Sequence, residues 1–166
     1  MRTAAAALAL AALALAGCAS TDGSTARAEP AHEVTVYVLG DRPRPRLHAQ
    51  TVEVAGPATV EAAVDALGTY QPPKPFETLW AGSCALGEHV DAVTVTDDLV
   101  MVHFRDDAGT LCDLDETGWE LRRQQLAWTV RTATGSRAPL QVTTGADSYR
   151  AEGGVVADEK YFAASQ

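Results

Sequence analysis

The side chains of this sequence that could do chemistry are four histidines, three cysteines and one cluster of carboxylates. The histidines are His32, His48, His89 and His103. His89 and His103 would approach each other if the segments around them paired as a hairpin. A metal centre needs at least one more ligand in place, and none is placed by spacing, so outward-facing histidines are expected. The carboxylates are Asp106, Asp107, Asp113, Asp115 and Glu116. Such a group could hold a divalent cation, but its spacing does not follow a calcium-loop pattern built around a central Gly. Carboxylates at the start of a helix are also favoured by the helix dipole. The sequence contains no Gly-x-Ser-x-Gly, no His-Glu-x-x-His and no phosphate-cradling glycine loop. No nucleophile–base pair can be assembled. The expectation is a protein that is not an enzyme, with no cofactor and no metal site.

The cysteines are Cys18, Cys84 and Cys112. Met1-Arg2 is a short positive start, followed by an Ala/Leu run from Ala4 to Ala16 and then Leu15-Ala16-Gly17-Cys18. A helix over that run would be about 20 Å long, too short for a hydrocarbon core of roughly 30 Å. It fits the apolar region of a signal peptide over residues 1–17. Leu-Ala-Gly-Cys resembles the bacterial lipobox, which implies acylation of Cys18 and a cell-membrane anchor on the extracytoplasmic face. Stable anchoring takes more than one acyl chain. Residues 18–33, small, polar and without apolar periodicity, read as a flexible tether. With Cys18 lipidated, Cys84 and Cys112 remain for each other as a disulfide in an oxidising compartment.

The chain is 46 % hydrophobic and 21 % charged, with a formal net charge of -9. An acidic chain is repelled by phosphate backbones, so nucleic acid is excluded as a partner. Against that background Arg42, Arg44 and Arg46, separated by prolines, form one stiff basic segment. The Pro-rich stretch from Tyr70 to Trp80 carries Tyr70, Phe76 and Trp80. Arg and aromatic side chains on irregular segments are favoured partner contacts. Arg42, Arg44, Arg46, Tyr70, Phe76 and Trp80 are therefore the candidate binding residues for an envelope protein. The competing expectation is that Phe76 and Trp80 cap the core.

The elements follow from periodicity. "VTVYVLG", Val34 to Gly40, is a strand apolar at nearly every position, which predicts a central strand covered on both faces. Leu47 to Val54 is a weaker strand. Thr59 caps a helix with an apolar stripe at Val60, Val64 and Leu67, stopped at Gly68. Two β-rich runs flank Asp97-Asp98. A two-residue turn there sets Val95 opposite Val100 and Val93 opposite Val102, with Phe104 on the same face. Extending that ladder brings Cys84 and Cys112 nearly opposite each other. Thr117 with Glu120 fits a capping box at the head of a helix ending at Gly135. Trp119, Leu126, Val130 and Ala133 form one face of it, Leu121 and Trp128 extend that face, and Arg122, Arg123 and Arg131 point elsewhere. Leu140 to Thr144 is a last strand. The tail adds short pairing near Tyr149 and Val155-Val156 and then frays.

The order strand, strand, helix, hairpin, helix, strand resembles the GerMN domain, the sporulation and spore-germination module of bacterial envelope proteins, as in actinobacterial lipoproteins of the LpqB type. "VTVYVLG", "VEAAVDALG", "VDAVTVTDDLVMVHF", "QQLAWTVRTAT" and "LQVTTG" carry the likeness, in order and spacing more than in any one motif. It implies a single α/β (α+β) domain over residues 34–162, with a βαββαβ core and a mixed sheet packed by two helices, and no catalytic activity. The expected function is a lipid-anchored binding or scaffolding module of the cell envelope. A cation-binding envelope protein is the alternative, and an envelope hydrolase the weaker one.

Overall fold

The computed structural model describes residues 30–41, 43–80, 90–104, 115–144 and 154–162. The valine-rich run forms β1 (Ala31–Gly40), paired antiparallel with β2 (Arg46–Ala55) from Ala31↔Ala55 to Gly40↔Arg46. Side chains alternate between faces along a strand. Val34, Val36 and Val38 enter one hydrophobic core, and Tyr37 and Leu39 enter a second. Coverage on both faces is as expected, but β1 is not central, because its sheet has two strands. Its far side is closed by other means. Leu39 and Glu77 exchange two backbone hydrogen bonds of 2.8 and 2.9 Å. Tyr37 donates its N–H to Thr129 Oγ1 (3.2 Å) and accepts at its carbonyl from Gln125 Nε2 (3.0 Å).

Helix α1 (Val60–Thr69) starts where expected, with Thr59 Oγ1 accepting from the N–H of Ala62 (3.2 Å). It buries Ala63, Val64, Ala66 and Leu67. It runs through Gly68 and ends at Tyr70, whose N–H reaches the Ala66 carbonyl at 2.8 Å. Gly68 is thus inside the helix, and the stop comes where the Tyr70 hydroxyl is tied to Gln50 Oε1 (2.7 Å).

The second hairpin is β3 (Val90–Val95) and β4 (Val100–Phe104), in the register the turn predicted: Val95↔Val100 and Val93↔Val102. The Thr96 N–H closes it on the Leu99 carbonyl at 2.9 Å. A register shift at Asp91 separates Val90↔Phe104 from Ala92↔His103. Strand β5 (Leu140–Thr144) lies parallel to β4, giving a mixed sheet in the order β3-β4-β5. A parallel neighbour needs a long crossover, and helix α2 (Glu116–Thr134) supplies it.

Helix α2 is capped by Asp115, whose Oδ1 accepts from the Gly118 N–H at 2.7 Å, so the predicted cap at Thr117 lies two residues too late. A carboxylate outcompetes a hydroxyl at this position because it also meets the helix dipole. The stop at Gly135 is as expected, with φ 71. Leu126, Ala127 and Val130 join the first core, and Leu121 and Trp128 the second. Two sequence expectations fail here: Ala133 is exposed, and Arg122 is 3 % exposed.

Val155 pairs with Leu140 as expected. The chain after it does not fray through residue 162. It forms a strap across α2 that ends in a 3-10 turn, Glu159–Tyr161. Gln124 donates to the Val156 carbonyl (2.9 Å) and accepts from the Asp158 N–H (2.9 Å). Phe162 meets Trp128 edge-on at 4.4 Å between ring centroids and pairs with Leu47. Strap and helix together seal the second core. Among the described residues no helix is long and apolar enough to cross a membrane.

Candidate functional site

The β1–β2 turn is built around Asp41, which holds φ 61. That region is costly for an L-residue and is tolerated best by Asn and Asp. The Asp41 carboxylate bonds His48 Nε2 at 2.8 Å, and its carbonyl accepts from the Arg44 N–H at 3.1 Å. Both contacts hold the turn in this shape. Pro43 and Arg44 are exposed. Arg46 is half-buried and donates from Nη1 to the Lys160 carbonyl, which fastens the strap to the turn.

The loop after α1 docks beside this turn. The Phe76 N–H bonds the Pro73 carbonyl at 3.0 Å, leaving Lys74 and Pro75 exposed at the tip. The Phe76 ring meets the His48 ring at 5.1 Å. A Cβ on Gly40 would come within 2.9 Å of the Phe76 ring, so only glycine lets the loop sit this close. Residues 41, 43–46 and 70–77 thus share one surface. Tyr70 and Phe76 are half-buried in it. Trp80 belongs to the core: it is 5 % exposed, stacks on Phe104 at 5.7 Å and donates from Nε1 to the Arg122 carbonyl at 2.8 Å. The Arg122 guanidinium lies between two indoles, 4.3 Å from the Trp80 centroid and 5.2 Å from that of Trp119. Burial pulls its pKa down to about 10, so it stays charged at neutral pH.

The remaining sequence candidates stand apart from this surface. His32 is exposed near the start of β1. His103 Nδ1 lies 2.8 Å from Thr143 Oγ1, and its Nε2 lies 4.0 Å from Asp91 Oδ2. Hydroxyl, imidazole and carboxylate therefore fall in line. They stand on the solvent face of an open sheet, however, and the imidazole–carboxylate gap is too long for a hydrogen bond. Asp115 serves as a helix cap, and Glu116 is exposed beside it. Among the described residues no group of three His, Cys, Asp or Glu side chains could hold a metal ion. Cys18, Arg42, Cys84, His89, Asp106, Asp107, Cys112, Asp113 and Tyr149 lie outside the described residues.

The buried polar residues Arg122, Gln124, Gln125 and Thr129 were not legible as structural contacts. The one signal available was their place between Leu121 and Val130, the stretch of the helix richest in apolar residues.

No protein-family model matches the sequence, and no curated protein matches it. Among solved structures, the fold is similar to the tandem GerMN domains of the sporulation protein GerM from Bacillus subtilis. The TM-score is 0.56 at 14 % identity, over 80 % of this chain and 48 % of that one, so the chain spans about half the length of that neighbour. A candidate lipoprotein from Clostridium perfringens aligns with a TM-score of 0.40 at 14 % identity, over 70 % of this chain and 76 % of that one. The domain described here is a GerMN-like α+β fold.

Proposed function

We propose that this chain is a lipoprotein held on the outer face of the cell membrane through Cys18, whose GerMN-like domain binds an envelope protein and performs no chemistry of its own. What supports the binding role is the adjacency of the arginine turn and the loop 70–77, two segments far apart in sequence that share one surface. Arg44 and Lys74 stand exposed on it. The test changes Arg42, Arg44 and Arg46 together to Ser and measures recovery of crosslinked envelope proteins with the lipidated chain as bait. Recovery falls while circular dichroism stays that of the wild type. Arg44→Ser alone serves as the control, because Arg46 also anchors the strap. Unchanged recovery in both variants removes the turn from the site. Turnover of a hydrolase substrate that vanishes with one carboxylate would overturn the non-enzyme reading.

Support for the anchor is the short apolar run ending in Leu-Ala-Gly-Cys. Mass spectrometry of the chain isolated from its own membrane finds a lipidated Cys18 peptide and a linked Cys84–Cys112 peptide pair. An unmodified Cys18 sinks the anchor, and two alkylatable thiols at Cys84 and Cys112 sink the disulfide.

A further inference from the structure

The three-stranded sheet ends at β3; the Val90 N–H at its start is taken by Asp65 Oδ1 of α1 (2.9 Å), and from Ala92 to Val95 no described strand pairs with its outer side. At the opposite edge Val155 pairs with β5 at Leu140. The hairpin geometry says what β3 offers. Thr96 donates its N–H to the Leu99 carbonyl across the turn. In an antiparallel ladder, hydrogen-bonded and non-bonded positions alternate. The even positions Ala92, Thr94 and Thr96 therefore spend their backbone groups on β4. Val93 and Val95 turn theirs outward. Val95 is 46 % exposed, one of two large hydrophobic side chains so placed among the described residues. From Ala92 to Thr96 the chain carries no charge and no proline, two of the devices that keep an edge from pairing, and the register shift at Asp91 confines the pairable stretch to this segment. Charge stands at its ends instead: Asp91 before it, and Asp97 and Asp98 after it, all three exposed.

We infer that the β3 edge is a strand-addition site for an extended segment with a small or β-branched centre and Lys or Arg on both flanks. Main-chain hydrogen bonds to Val93 and Val95 would supply the pairing, and the aspartates would choose the partner. A second copy of this chain fits poorly in the register that matches the most valines. In the antiparallel register that sets Val93 against the partner's Val95, Asp91 falls opposite the partner's Asp97, and the same clash recurs on the other side of the axis. This inference is independent of the arginine-turn surface.

The test uses the full mature chain in non-ionic detergent and two labelled probe peptides, Lys-Lys-Val-Thr-Val-Lys-Lys and Glu-Glu-Val-Thr-Val-Glu-Glu, read by fluorescence anisotropy. The basic peptide binds and the acidic one does not. Val95→Pro removes an outward donor and no ladder bond, a placement that edge strands tolerate. It weakens binding about fivefold or more, the equivalent of one lost hydrogen bond, and Val95→Lys does the same by repelling the basic flank. Asp97→Asn with Asp98→Asn flattens the salt dependence. No binding of the basic peptide, equal binding of both peptides, or wild-type affinity in both Val95 variants overturns the inference. Self-association that Val95→Lys abolishes would assign the edge to a second copy, and overturns it equally.

Discussion

The two hairpins of this fold use the same antiparallel pairing to opposite ends. The β1–β2 hairpin is covered on both faces near its turn. One core meets Val34, Val36 and Val38; α2 and the strap meet Tyr37, Leu39 and Leu47. The β3–β4 hairpin is covered on one face, by Val100, Val102 and Phe104, while Thr94 and Thr96 face solvent. The difference follows from where α2 lies, because α2 packs on β1 and α1. A doubly covered hairpin can hold its turn in one shape and present it. A singly covered one leaves an edge open to pairing. The two candidate contact surfaces of the molecule therefore differ in kind: side chains on a fixed turn, and backbone on a free edge.

The sharpest way to break this comparison is to uncover the second face of β1. Trp128 is 8 % exposed and its ring lies 5.8 Å from Tyr37 and 4.4 Å from Phe162. Trp128→Ala costs about 3–5 kcal/mol of unfolding free energy, the range for removing a large aromatic from a core. Thr94→Ala, on the open face of the second hairpin, stays within about 0.5 kcal/mol. Urea denaturation of both variants measures the contrast. Equal losses would mean that the two hairpins are not differently supported.

Which hairpin would be covered twice was legible, because the burial was written into the period. "VTVYVLG" is apolar without alternation, and "VTVTDDLVMVHF" alternates. The register of the second hairpin followed from a two-residue turn, and the order of elements from the positions of glycine, proline and caps. The strap was not legible. Its hold comes from Gln124, Trp128 and Leu47, which are distant in sequence, and its own residues carry no periodic pattern. The polar core of α2 was hidden for a related reason. Gln125 and Thr129 are polar residues that apolar periodicity does not assign to a core, yet they are buried because they satisfy the open side of β1 at Tyr37. Of the candidate surface, the arginine turn and the loop were each visible, but their adjacency was not. It depends on the close approach of Phe76 to Gly40. Trp80 was grouped with them by proximity in sequence, while its ring belongs to the core.

A smaller effect tests how the helix that makes the difference begins. Asp115→Ala removes the bond to the Gly118 N–H and costs about 1 kcal/mol. Thr117→Ala, at the position that sequence reasoning favoured, changes stability by less than about 0.5 kcal/mol. Thermal unfolding ranks the two, and the reverse order would restore the cap to Thr117.

The smallest expected effect concerns the strap that covers the turn end of the first hairpin. Lys160 Nζ lies 2.7 Å from Asp158 Oδ2. Side-chain hydrogen bonding to Lys160 lowers the Asp158 pKa below its ordinary value, and the same contact raises that of Lys160. The signs set the window. Asp158, depressed in the fold, contributes stability above the ordinary carboxylate pKa of about 3.9 and loses it as pH falls through its folded value. Lys160, raised in the fold, contributes fully below the ordinary value of about 10.4 and loses it as pH rises through its folded value. Asp158→Asn isolates the charge, because an amide oxygen can still accept from the Lys160 N–H, which Oδ1 now does at 2.9 Å. The melting-temperature gap between wild type and Asp158→Asn is therefore widest between about pH 5 and 9 and closes toward both extremes. It also shrinks in high salt, since the pair is exposed. A gap that persists unchanged at acid pH would mean that the carboxylate holds the strap by its shape and not by its charge.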